Sequence, residues 1–93
     1  MVSAEFSYRV VFVRSARKEL ESLDNAIARR ILRRIEEFPL NPRPPGCKKL
    51  AGQNRLWRIR MGDYRVVYTI DDREHLIDIR VIRHRSKAYD DLD

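Results

Sequence analysis

Residues 55–68, RLWRIRMGDYRVVY, constrain the fold more than any other part of the chain. From Leu56 to Met61 the residues alternate: Trp57, Ile59 and Met61 share one face of a strand, Arg58 and Arg60 the other. Tyr64, Val66, Tyr68 and Ile70 repeat the pattern in a second strand. Gly62-Asp63 links the two. A two-residue link beginning with Gly suits a type II′ turn, because Gly takes a positive φ without penalty. That turn sets Met61 opposite Tyr64 and Arg60 opposite Arg65, with Arg58 two residues along the same face. Like charges directly opposite one another destabilise a sheet. Such a face is either a solvated surface whose long side chains splay apart or a surface kept for a polyanion.

The rest of the chain fits around this hairpin. Phe6 to Val13 reads as a first strand, and Ser15 as the N-cap of a helix carrying Ala16, Leu20 and Leu23. Asp24 caps a second helix whose Ile27, Ile31, Ile35 and Phe38 form one apolar stripe. Arg29, Arg30, Arg33 and Arg34 take its remaining surface, the ordinary place for a solvated basic face. The short connection predicts an antiparallel helical hairpin. PLNPRPPGC ends the second helix, since proline removes an amide donor and pushes the preceding residue out of the helical region. After the arginine hairpin, DDRE makes a turn, and His75 to Arg83 alternates with Ile77, Ile79 and Val81 inward and Asp78 and Arg80 outward. The expected architecture is α+β: an N-terminal strand and a helical hairpin packed on one face of a four-stranded, mainly antiparallel sheet. The opposite face stays open and carries Arg58, Arg60 and Arg65.

At 93 residues a single domain spanning 1–93 is expected, with a hydrophobic share of 43 % sufficient for one core. A formal charge of +6 and a pI near 10.0 favour nucleic acid, ribosome or acidic protein as partner. Cys47 is the one cysteine, so a reducing cytoplasm is expected and Cys47 reads as a small apolar filler. His75 and His84 lack metal-ligand spacing, and neither a metal nor a cofactor is expected. No apolar run approaches a membrane span and the first residues lack a signal-peptide core.

The last strand ends in Arg83-His84-Arg85, and Tyr89 follows. Pairing of the last two strands would bring guanidinium groups, an imidazole and a phenol onto one surface. No carboxylate pair accompanies them. Such a set suits phosphoryl chemistry in which RNA supplies its own 2′-hydroxyl as nucleophile. The protein then provides a proton acceptor, positive charge for the phosphorane-like transition state and a donor for the departing 5′-oxygen. Arginine suits the second role, with a planar fork that binds phosphate oxygens in pairs. Nearby cations favour a phenolate, which makes Tyr89 a candidate base against its alternative as a packing aromatic. His84 is a second candidate for acid or base work. Trp57 could stack on a base, but its parity with Ile59 and Met61 puts it in the core.

The stretches LWRIRMGDYRVVYTIDD and IRHRSKAY resemble the RelE toxins of type II toxin–antitoxin systems, within the RelE/ParE superfamily. The resemblance covers nearly the whole chain. It implies an endoribonuclease (an mRNA interferase) that cuts messenger RNA in the ribosomal A site without a metal. Its partners would be ribosome, mRNA and a RelB-like antitoxin. It carries Arg65, Arg83, Tyr89 and His84 as catalytic residues, and Arg58, Arg60 and Arg85 as contacts to RNA phosphates; Lys48 and Lys49 are further candidate phosphate contacts. Several members have lysine where Arg58 and Arg60 stand here, and arginine does not give up a proton. His84 then becomes the candidate acid. Two other readings are a ParE-like toxin that poisons DNA gyrase and a non-catalytic RNA-binding module.

Overall fold

The structure is a computed structural model that describes residues 7–50, 52 and 55–87. Its elements are β1 (Arg9–Phe12), α1 (Arg14–Glu21), α2 (Asn25–Ile35), β2 (Lys48–Lys49), β3 (Leu56–Met61), β4 (Tyr64–Asp71) and β5 (Leu76–His84). They form one sheet in the order β1-β5-β4-β3-β2, antiparallel except for β1, which runs parallel to β5. The sheet thus has five strands rather than the expected four, the addition being the two-residue β2 on the edge of β3. Both helices lie on one face, as expected, α1 against β5 and α2 against β3. Among the described residues no helix is long and apolar enough to cross a membrane.

The core lies between this face and the helices. Ala16 of α1, and Ile31 and Ile35 of α2 with Phe38 just beyond it, meet Ile59, Met61, Val66, Tyr68, Ile70, Ile77, Ile79 and Ile82 of the sheet. Phe38 and Tyr68 are both fully buried with ring centroids 4.6 Å apart, a contact that adds about 1 kcal/mol beyond area burial. The Tyr68 hydroxyl satisfies itself by donating to the Pro42 carbonyl at 2.8 Å. Trp57 and Cys47 pack against this core, half-buried.

The hairpin follows its sequence pattern. Gly62 has φ +62° and Asp63 a negative φ, as a type II′ turn requires. Met61 pairs with Tyr64 and Arg60 with Arg65. The β4–β5 turn is also local chemistry: Asp71 Oδ1 accepts the amides of Arg73 and Glu74, both at 3.0 Å.

Three expectations are corrected. The first strand is Arg9–Phe12 within the described residues, and Phe6 lies outside them. Ser15 is not a cap. The Val13 amide still donates to Ile79 at 3.0 Å, so the chain leaves the sheet only there, and α1 starts at once with Val13 as its extended N-cap residue. Asp24 does occupy the α2 cap position, though its side chain makes no capping hydrogen bond. Third, Val81 does not share the face of Ile77 and Ile79. The β4–β5 register shifts between Val67 and Tyr68: Tyr68 pairs with Ile79 but Val67 with Val81, leaving Arg80 as the extra residue of a bulge. One extra residue inverts the alternation beyond it. Ile82 therefore enters the core at 2 % exposure, Val81 joins Val67 on the opposite face, and Arg83 comes out opposite Arg65.

Candidate nucleic-acid interface

The face away from the helices gathers basic residues from four strands. One cross-strand row runs Lys48, Arg58, Val67, Val81; the next runs Arg60, Arg65, Arg83. Neighbouring strands lie about 4.8 Å apart, so Arg60, Arg65 and Arg83 stand side by side over roughly 10 Å. Val67 and Val81 are 0 % and 8 % exposed and form an apolar floor between the arginines. Lys49 pairs with Trp57 and so belongs by register to the other face, although it is exposed.

These cations are unevenly satisfied. Arg58 Nε is buried and finds no hydrogen-bond partner among the described residues. A buried donor left unmade costs about 1–3 kcal/mol, and more when charged. Arg65 donates from Nη1 to its neighbour Tyr64 carbonyl at 3.3 Å, and Arg60 is exposed. Arg83 has a carboxylate: its Nε donates to Glu19 Oε2 of α1 at 3.2 Å, with both side chains about three-quarters buried. Arg85 leans on the hairpin turn. Its amide donates to the Asp63 carbonyl at 2.7 Å and its Nε lies 3.7 Å from Asp63 Oδ1, in an exposed pair.

His84 departs from the expected grouping. The bulge that turns Arg83 outward turns His84 toward the helices, opposite Tyr64, whose ring it meets edge-on at 5.2 Å. Its Nδ1 accepts the Ser86 amide at 3.1 Å and lies 2.8 Å from Ser86 Oγ. By register the imidazole belongs to the helix face, although it lines a small cavity at the strand end together with Arg83, Glu19 and Tyr64. Tyr89 lies outside the described residues.

Two features of the surface carry no signal that a reading of the sequence finds. The first is the Glu19–Arg83 contact, which joins residues 64 positions apart. The second is a groove of about 380 Å³ on the helix side, between α2 and the β3–β4 turn. Ile27, Ile31, Met61 and Tyr64 give it an apolar lining, and at its charged edge Arg30, Arg33 and Arg34 outnumber Glu37 and Asp63. The apolar stripe and basic surface of α2 are legible separately; that the hairpin turn completes a groove with them is not.

At the far end of the sheet, Asp72 accepts the Tyr8 hydroxyl at 2.6 Å and both terminal nitrogens of Arg43, at 3.2 and 2.8 Å. The Arg43 guanidinium also stacks 4.9 Å over the Trp57 ring. The Arg43 fork, and then the Tyr8 hydroxyl, hold the Asp72 carboxyl below the usual range; the same hydrogen bond raises Tyr8. This clasp ties the β1 approach, the proline-rich loop and the β4–β5 turn together.

A family model described as ParE toxin of type II toxin–antitoxin system, parDE, matches residues 10–89. A toxin RelE of Mycobacterium tuberculosis is 34 % identical, with 95 % of this chain and 92 % of that protein covered. Among solved structures, the archaeal RelE–RelB complex from Pyrococcus horikoshii contains a chain that superposes with a TM-score of 0.77. That chain is 33 % identical, covering 88 % of this chain and 99 % of its own length. The RelB–RelE antitoxin–toxin complex from Methanococcus jannaschii gives a TM-score of 0.71 at 29 % identity, covering 89 % and 99 %.

Proposed function

This chain belongs to the RelE toxins, within the RelE/ParE superfamily of type II toxin–antitoxin systems, and from that premise we propose that it is a metal-independent endoribonuclease of the cytoplasm that cuts mRNA in the ribosomal A site. The observation that carries the reading is the cross-strand row Arg60, Arg65, Arg83 on the face away from the helices. Folding alone gains nothing from cross-strand like charges; an RNA phosphate supplies the counter-charge that the row calls for.

In this scheme Arg58, Arg60 and Lys48 grip the RNA backbone, with Lys49 and Arg85 at the margins. Arg65 and Arg83 stabilise charge on the scissile phosphate. Tyr89 takes the 2′-hydroxyl proton, the oxygen attacks phosphorus, and the 5′-oxygen leaves, giving a 2′,3′-cyclic phosphate and a 5′-hydroxyl. With His84 on the helix side of the sheet, the proton for the 5′-oxygen comes from solvent. A RelB-like antitoxin is the cognate partner, and the α2 groove suits an amphipathic acidic segment of it: apolar lining, basic edge.

A second reading has support in the name of the matching family model: a ParE-like toxin that poisons DNA gyrase with the same fold. Purified protein incubated with translating ribosomes and, separately, with gyrase and supercoiled DNA decides between them. Cuts in A-site codons bearing cyclic phosphate and 5′-hydroxyl ends, unaffected by EDTA beyond its damage to ribosomes, support the nuclease. Trapped gyrase–DNA cleavage with intact mRNA overturns it.

A further inference from the structure

We propose that Glu19, on α1, is a positioning residue for Arg83; the inference rests on the nuclease reading above. β1 covers the edge of β5 only as far as Ile79, where the Val13 amide makes the last bond. Beyond it no described strand reaches the Ile82 amide on that edge. Glu19 follows the fully buried Ala16 by three residues, so the helix directs both toward the sheet. Its Oε1 accepts the Ile82 amide at 3.1 Å and its Oε2 accepts Arg83 Nε at 3.2 Å. One carboxylate thus caps a strand edge and grips the next residue's guanidinium.

The grip falls on Nε, the nitrogen nearest the aliphatic stem. Holding it fixes the stem torsions and, because the group is planar, the direction of the whole fork. An arginine side chain otherwise carries about 2 kcal/mol of rotamer entropy. A carboxylate beside a phosphate-binding cation also has an opposing effect, since it lowers the local positive potential. The two effects differ in sign when the charge is removed, which makes the role testable. Glu19→Gln keeps an oxygen for the Ile82 amide and removes one negative charge from the protein. If Glu19 merely screened Arg83, the variant would bind RNA more tightly and cut faster. As a positioning residue, it must cut more slowly even where binding is unchanged or tighter.

The test is single-turnover cleavage of ribosome-bound mRNA by the full chain, split into saturating rate and half-saturating concentration. Glu19→Gln should lower the rate roughly 10- to 100-fold, the scale of a small misplacement, without raising the half-saturating concentration. Glu19→Asp keeps the charge but shortens the reach, and should also slow the rate. In an Arg83→Gln background, Glu19→Gln should add less than about a 2-fold loss, as expected of residues acting as a unit. An unchanged or faster Glu19→Gln, or losses that multiply in the double variant, overturns the proposal. Proton exchange at Arg83 Nε, followed by NMR, separates the grip from the nuclease activity. Protection in the wild type that Glu19→Gln abolishes, in a protein that cuts no RNA, sinks the nuclease reading but not the grip. Equally fast exchange in both proteins sinks the grip whatever the cleavage result.

Discussion

Arg65 on β4 and Arg83 on β5 are direct cross-strand partners, two like charges facing one another on the sheet face away from the helices. Nothing in the packing rewards that pairing. Glu19 moderates it by drawing on the Arg83 Nε, and Arg60 extends it on the other side of Arg65. The arrangement makes sense as a preformed anion site, and its consequences are measurable.

Replacing Arg58 and Arg60 by Gln should weaken RNA binding and flatten its salt dependence. For every phosphate that no longer meets a guanidinium, the log–log slope should shrink by about one unit. Titration of a single-stranded RNA at several salt concentrations reads both quantities. An unchanged slope would remove these residues from the interface.

Tyr89→Phe takes away one hydroxyl. If that hydroxyl is the base, the single-turnover rate should fall by about two to four orders of magnitude while binding hardly changes. His84→Gln, on the helix face by register, should leave the rate within a few fold. The reverse pattern would move the proton chemistry to the imidazole.

The α2 groove predicts a charge-dependent partner contact. Arg30→Glu with Arg33→Glu reverses its basic edge without touching Ile31 or Met61. Affinity for the cognate antitoxin should drop at least about tenfold at low salt, and the difference should shrink as salt screens it. Calorimetry at two ionic strengths measures this; equal affinities would place the antitoxin elsewhere.

Arg80 is the inserted residue of the β5 bulge, so its deletion should be tolerated. Ile79 and Val81 would become regular neighbours, with Ile82 still inward and Arg83 still opposite Arg65. Thermal unfolding should show a small change, within about 1 kcal/mol. Ile82→Asp instead places an unpaired charge at a core position 2 % exposed, and should unfold the protein.

The Tyr8–Asp72–Arg43 clasp gives stability a pH window. Asp72 is lowered from 3.8, so its contribution is complete above that pH and is lost as pH falls through the lower folded value. Tyr8 is raised from 10.0, so its contribution is present below pH 10.0 and is lost as pH rises through the higher folded value. The Arg43–Asp72 pair is exposed, so Asp72→Asn should cost less than about 1 kcal/mol at pH 7, and the difference should vanish in strong acid. Melting curves from pH 2 to 8 test this; a deficit that persists at pH 2 would contradict it.

Much of this protein is determined by sequence alone, because the signals are local. Alternation from Leu56 to Met61 and the glycine at the turn set the hairpin, its register and the Arg60–Arg65 pair before any other element is placed. The apolar stripe of α2 does the same for Ile31, Ile35 and Phe38. What the tertiary structure decided depends on contacts distant in sequence. Alternation counted along β5 puts Val81 inward, and by the same parity would turn Arg83 inward and His84 out. The bulge at Arg80 reverses all three, and pairing with β4, not the composition of β5, locates it. Glu19 gives no sign in the sequence of any bond to Ile82 or Arg83. That contact exists because β1 stops short and α1 returns over the bare edge of β5, a relation between elements that no short stretch of sequence encodes.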